Sequence, residues 1–213
     1  MSVTNWENEK KILYNWGILP VDDVPNSVID YLKSNISDYN YNYSLAGHMK
    51  EEYKYENWPK FVDEFILNNL NDPLLDEWTR RQTQLTSNRP YVLNDLWVNK
   101  QKKHEFNPVH DHSGVFSFII FLKIPYNLED ESKVFPKNSN SRSSTSKLSF
   151  LLNDYMGDIK ALMVNVDKSF ENKMLMFPAK LKHQVYPFYT SDDYRITVSG
   201  NIAFWVGDND KSN

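Results

Sequence analysis

The sequence predicts an α+β protein that is mainly β, built as an antiparallel sandwich or jelly roll with helices packed on it. Three observations carry this. From about Leu93 the chain breaks into short alternating or β-branched runs separated by turn residues. None of the links between those runs has a helical pattern long enough for a parallel crossover, so the pairing must be mostly antiparallel. Before Leu93 the apolar residues fall instead at helical spacing.

The elements follow in order. Val28, Ile29, Leu32 and Ile36 form a first helical stripe, entered through Pro25 and Asn26-Ser27. A Tyr-rich stretch from Tyr39 to Tyr55 has no clear period. Phe61, Val62, Phe65, Ile66 and Leu70 form a second stripe, with Pro59 near its first turn. Asp72-Pro73 reads as an N-cap with Pro at the first helical position, leading into Leu74, Leu75, Trp78 and Leu85. Strands are expected at Leu93–Asn99, Phe106–His112, Val115–Ile124, Ile159–Val166, Lys173–Phe177, His183–Phe188 and Tyr194–Val206. Between Pro136 and Lys147 the chain is Ser/Asn-rich and reads as a surface loop. The division is a helical N-terminal extension (1–92), a β core (93–206) and a polar tail (207–213).

Composition narrows the chemistry. With no Cys, disulfides, thiolate metal sites and Cys nucleophiles are excluded, and metal ligands must come from His, Asp and Glu. A net charge of −4 argues against whole-molecule attraction to nucleic acid or an anionic membrane. No apolar run approaches the ~20 residues that span a bilayer. The N-terminus lacks an apolar signal core, which points to a cytoplasmic protein. Six Gly and no Gly-rich loop exclude a dinucleotide fingerprint, and there is no Gly-x-Ser-x-Gly elbow. Nothing speaks to oligomeric state.

The five histidines carry more. His110-Asp111-His112 precedes the apolar strand Val115–Ile124. In extended chain, residues two apart point the same way, so His110 and His112 share a face suited to one divalent ion. His183 opens a later strand after a turn and can meet that pair inside a jelly roll. Twelve residues on, Arg195 starts a strand whose alternation places Arg195, Thr197, Ser199 and Asn201 on one face. A guanidinium facing a barrel interior needs an anion, and Thr197 can bond the same group. Singly, each of these also suits a packed or surface residue; their joint order points to a site. Trp97 and Asn99 share a face, which puts Asn99 in reach of a cosubstrate, and Tyr186 lies near His183. His48 and His104 are isolated, and Lys100–Lys103 reads as a solvated turn.

Two blocks carry a family resemblance. Leu96–Asn99, Glu105–Gly114 and Phe118–Pro125 resemble the front half of a 2-oxoglutarate/Fe(II) oxygenase; Met174–Pro178, His183–Phe188 and Tyr194–Asn201 resemble its back half. The likeness covers about Leu93 to Phe204 and is greatest to versions encoded by T4-like phages of marine cyanobacteria, which would place the protein in a host cytoplasm. It implies a double-stranded β-helix, cupin-like, with Fe(II) in its mouth. His110 and His183 would hold the iron, Arg195 the distal carboxylate of 2-oxoglutarate. O2 and an unidentified substrate would be the other reactants, with hydroxylation of a C–H bond the expected outcome.

One position departs from the family's His-x-Asp/Glu pattern: His112 stands where a carboxylate is usual. Three arrangements are open. All three histidines ligate; or Asp111 swings in at a bulge; or His112 ligates first and Gly114 leaves the carboxylate position empty, as in halogenase-like sites. Alternation favours the first, making His110, His112 and His183 the metal and catalytic set. Two other classes stand beside the oxygenase: a metal-bound cupin-like enzyme that does not use 2-oxoglutarate, and a non-catalytic jelly roll serving binding or a virion.

Overall fold

The computed structural model describes residues 4–83, 90–135, 144–154 and 156–205, with side chains undescribed at 79–83. Among these residues ten strands form, all paired antiparallel: β1 (Leu19–Val21), β2 (Glu51–Lys54), β3 (Tyr91–Gln101), β4 (Asn107–His110), β5 (Phe116–Lys123), β6 (Leu148–Asn153), β7 (Ile159–Val164), β8 (Met174–Pro178), β9 (Lys182–Val185) and β10 (Arg195–Phe204). They make a six-stranded sheet, β1-β8-β5-β10-β3-β2, and a four-stranded sheet, β4-β9-β6-β7. The last eight strands distribute between the sheets as a jelly roll does. The first, third, sixth and eighth lie in the large sheet, and the others in the small one.

Alternation along the large sheet sorts its side chains into two cores. Phe116, Phe118, Ile120 and Leu122 of β5, with Leu96, Val98, Met174, Met176 and Val198, face outward. They meet the stripes of α2 (Asn26–Ser34), α3 (Lys60–Asn68) and α4 (Pro73–Thr83), which follow α1 (Asn5–Asn15) in the chain. Val28, Ile29, Leu32, Val62, Ile66 and Leu75 bury there. Ile119, Phe121, Leu175 and Phe177 face the other way and pack on Phe150, Leu162 and Val164 of the small sheet. Each such side chain contributes about 1.5–3 kcal/mol. Strand β5 is apolar at all but Ser117 and Lys123 because both its faces are covered, which explains its FSFIIFL run.

Three predicted helices form close to their expected places. Asp72 caps α4, its Oδ1 accepting from the Leu74 N–H at 2.9 Å; Leu85 lies outside the described residues. Several elements escaped the sequence reading, helix α1 and strands β1, β2 and β6 among them. Helix α1 has a mixed pattern, but Trp6 and Leu13 bury in the inner core, Trp6 edge-on to Phe170 at 5.0 Å. Strands β1 and β2 are three and four residues long, too short to show a period, so the stretch read as helices and loops supplies both edges of the large sheet. Strand β6 follows the Ser/Asn-rich segment, whose residues 136–143 lie outside the described set, as does the tail from 206. The predicted strand Phe106–His112 is also too long: its ladder ends at His110. Among the described residues no helix is long and apolar enough to cross a membrane.

Candidate metal and cosubstrate site

His110 and His183 are direct cross-strand partners on β4 and β9, their ring centroids 4.2 Å apart. His112 lies just past the strand, where its N–H still donates to Ala179 O at 2.9 Å. Its ring centroid is 4.9 Å from that of His110 and 5.0 Å from that of His183. One nitrogen from each ring falls within 4.8 Å of the others, and these three histidines form the metal-capable cluster among the described residues. Gly114 fixes the turn that follows. Its φ is +98°, and a Cβ there would stand 2.6 Å from Ile202 O.

The backbone orients two of the rings. His110 Nδ1–H donates to Pro108 O at 2.7 Å and His183 Nδ1–H to Leu181 O at 2.9 Å, which leaves each Nε2 as a lone pair. His112 Nε2 lies 3.2 Å from His183 Nε2, so a proton or a cation must sit between them. Metal–imidazole bonds of about 2.1 Å place two adjacent ligand nitrogens about 3 Å apart, so the donor set fits a divalent ion. Burial holds all three rings below the ordinary imidazole range, His112 at about 4 and His183 at about 3. They are therefore neutral and ready to ligate at pH 7.

Asp111 points away from the cluster. Its carboxylate pairs with Lys182 at 2.8 Å and Lys180 at 3.4 Å on the outer face. The arrangement in which Asp111 swings inward is not the one adopted.

The inward face of the large sheet supplies much of the remaining wall: Trp97, Asn99 and Gln101 from β3, and Arg195, Thr197 and Ser199 from β10. Trp97 stands 5.5 Å from the His112 ring. Asn99 Nδ2 reaches Thr197 Oγ1 at 3.4 Å. Arg195 is buried, its guanidinium carbon 5.8 Å from the Tyr126 ring centroid and 5.7 Å from that of Phe188. Its five N–H groups go to neutral acceptors: Gln101 Oε1 from Nε at 3.0 Å and from Nη2 at 2.5 Å, Tyr126 Oη at 3.1 Å, Ser146 O at 2.9 Å and Tyr186 O at 3.0 Å. No carboxylate pairs with it among the described residues. The buried positive charge is unmatched, as a site for an anionic ligand requires.

The sequence reading missed four residues here. Gln101 shares the parity of Trp97 and Asn99, and alternation could have found it. Tyr126, Ser146 and Glu52 sit on loops or an edge strand that leave no periodic trace. Tyr186 contributes its carbonyl, while its hydroxyl accepts from Gln184. His48 packs on Phe106 and His104 on Tyr189, both away from the cluster.

A family model described as "Putative 2OG-Fe(II) oxygenase" matches residues 95–201, half of the chain, and the protein belongs to that family. It is a 2-oxoglutarate- and Fe(II)-dependent oxygenase. No curated protein sequence matches it. Among solved structures it is similar to a 2OG-Fe(II) oxygenase-family oxidoreductase from Burkholderia pseudomallei, at 11% identity and TM-score 0.48 over 95% of this chain and 91% of that one. It is also similar to a prolyl-4-hydroxylase from Pseudomonas putida (9%, 0.49, 95% and 100%) and to HygX from Streptomyces hygroscopicus with nickel and 2-oxoglutarate bound (10%, 0.45, 95% and 87%).

Proposed function

We propose that His110, His112 and His183 together hold the iron, through Nε2 of His110 and His183, with Arg195 receiving the distal carboxylate of 2-oxoglutarate. The bound iron and cosubstrate supply O2-dependent oxidation of a substrate C–H bond, and the outcome we infer is hydroxylation. The observation that carries this reading is the convergence of three neutral imidazoles in one pocket with a buried guanidinium that no acid among the described residues neutralises. Thr197 supports the same carboxylate as a donor, and Asn99, bridged to it, lines the cosubstrate side. Asp111 takes no part. A cytoplasmic place of action, in a host if the chain is phage-encoded, belongs to the same reading.

Anaerobic titration of Fe(II) and then 2-oxoglutarate tests it. A charge-transfer absorption should develop with wild type, disappear with His183→Ala, and need far more 2-oxoglutarate with Arg195→Ala. A band unchanged in Arg195→Ala would remove Arg195 from the cosubstrate site. No band in wild type would overturn the whole assignment.

A further inference from the structure

The same pocket carries a demand that iron and 2-oxoglutarate do not meet. Glu52, on β2, lines it and is fully buried, yet neither carboxyl oxygen has a hydrogen-bond partner. Buried carboxyls are normally satisfied, and this protein follows that rule elsewhere. Glu131 accepts from the N–H groups of Tyr189 and Thr190 and from the Thr190 hydroxyl, and Glu9 accepts from Asn165. Two further acceptors in the pocket wall, Asn99 Oδ1 and Asn107 Oδ1, are also buried without a donor. An amide flip can exchange oxygen for nitrogen, but a carboxyl offers no such escape.

The neighbouring cations are engaged elsewhere. Lys54 pairs with Asp95, Lys100 with Glu51, and Arg195 has its five neutral acceptors. Glu52 also lies outside the three-histidine metal cluster. Its position is built rather than incidental. Its N–H donates to Asn42 Oδ1, while Asn42 Nδ2 donates to the Met49 and Lys50 carbonyls and fixes the loop between. Gly47 leaves the carboxyl its room, since a Cβ there would stand 2.6 Å from Glu52 Oε1. Leu45, Ala46 and Met49 add an apolar collar to the same wall.

From this wall of unpaired acceptors beside an apolar collar, we infer that the oxidised substrate carries an ammonium or guanidinium group on an aliphatic stem, and that Glu52 receives that cation. Such a group brings three to five donors, which is what the wall lacks. The inference rests on the oxygenase reading, since it names the substrate class of that site.

The test uses full-length protein loaded anaerobically with Fe(II) and 2-oxoglutarate. The probes are N-acetyl-lysine methylamide and N-acetyl-arginine methylamide, with the uncharged norleucine and citrulline counterparts as comparators. Calorimetry reads affinity, and the charge-transfer band reads the metal site. At least one cationic probe should bind tenfold or more tightly than its neutral counterpart, and Glu52→Gln should lose that preference while still forming the band. Gly47→Ala, which crowds the carboxyl, should weaken the cation in the same direction. Equal binding of charged and neutral probes, no binding of either cation, or an unchanged preference in Glu52→Gln would overturn the inference. Loss of the band in wild type would instead count against the oxygenase reading, because calorimetry registers the cation separately.

Discussion

Arg195 shows how one side chain prepares a site. A buried guanidinium without an acid is costly, and here only neutral oxygens and two aromatic rings offset that cost. Gln101 Oε1 accepts two of the five bonds at a single atom, so it is the acceptor that the proposed carboxylate ligand would have to displace. Gln101→Glu would install an internal carboxylate on Arg195 in competition with 2-oxoglutarate. The expected result is an increase of tenfold or more in the 2-oxoglutarate concentration needed for half-maximal charge-transfer absorption, with Fe(II) affinity little changed. An unaltered titration would show that Arg195 is not where the cosubstrate docks. At this scale the sequence was legible wherever side chains repeat every second residue. His110 and His112, then Arg195 and Thr197, declare a shared face in that way. Glu52 does not, because β2 is four residues long and the residues two positions either side of it, Lys50 and Lys54, look like surface charge.

The turn between β4 and β5 joins the histidine cluster to the large sheet. Its Gly114 combines φ +98° with a backbone oxygen 2.6 Å from where a Cβ would be. Gly114→Ala therefore meets two penalties, a disfavoured backbone conformation and a clash that a carbonyl cannot avoid by rotating. We expect a loss of about 1–3 kcal/mol in chemical denaturation and weaker metal binding, because His112 is two residues away. Phe118, wholly buried on the outward face of β5, gives the contrasting case. Phe118→Ala should cost about 3–5 kcal/mol and leave metal affinity in the surviving folded protein nearly intact, because the side chain faces the helices rather than the pocket. Equal effects of the two changes on metal binding would contradict the separation of the cores. Strands of the jelly roll were legible because β-branched and aromatic runs lie between turn residues. Helix α1 and strands β1, β2 and β6 were not, because their order comes from tertiary contacts rather than from any period of their own.

For the whole molecule, the pocket sets opposing dependences of stability on pH. Burial holds His112 at about 4 and His183 at about 3, against 6.5 for a free imidazole. The unfolded chain then binds more protons than the folded one below pH 6.5, so stability falls as pH drops from 6.5 towards those values. For His112 alone this span corresponds to about 3 kcal/mol. Glu52 acts in the other direction. Desolvation raises its carboxyl from 4.5 to about 7, with the Glu105 charge adding to the effect. The folded state keeps a proton that the unfolded chain has released, so stability falls as pH rises from 4.5 through 7, again by about 3 kcal/mol. Two histidines outweigh one carboxyl between pH 4.5 and 6.5, so the metal-free protein should gain stability as pH rises and level off near pH 7, where the loss from Glu52 cancels the gain. Glu52→Gln should remove the loss on the rising side and give a protein more stable than wild type at pH 7.5, with little difference at pH 4.5. A divalent ion bound to the three imidazoles should deepen the acid-side loss, since it binds only their neutral forms and adds stability at pH 7 that protonation withdraws. Urea titrations at pH 4.5, 6 and 7.5, with and without Zn(II) as a redox-inert substitute, read all three effects. If the Glu52→Gln and wild-type midpoints kept the same separation at every pH, Glu52 would titrate in the folded protein as it does in the unfolded chain, and its carboxyl would not be desolvated.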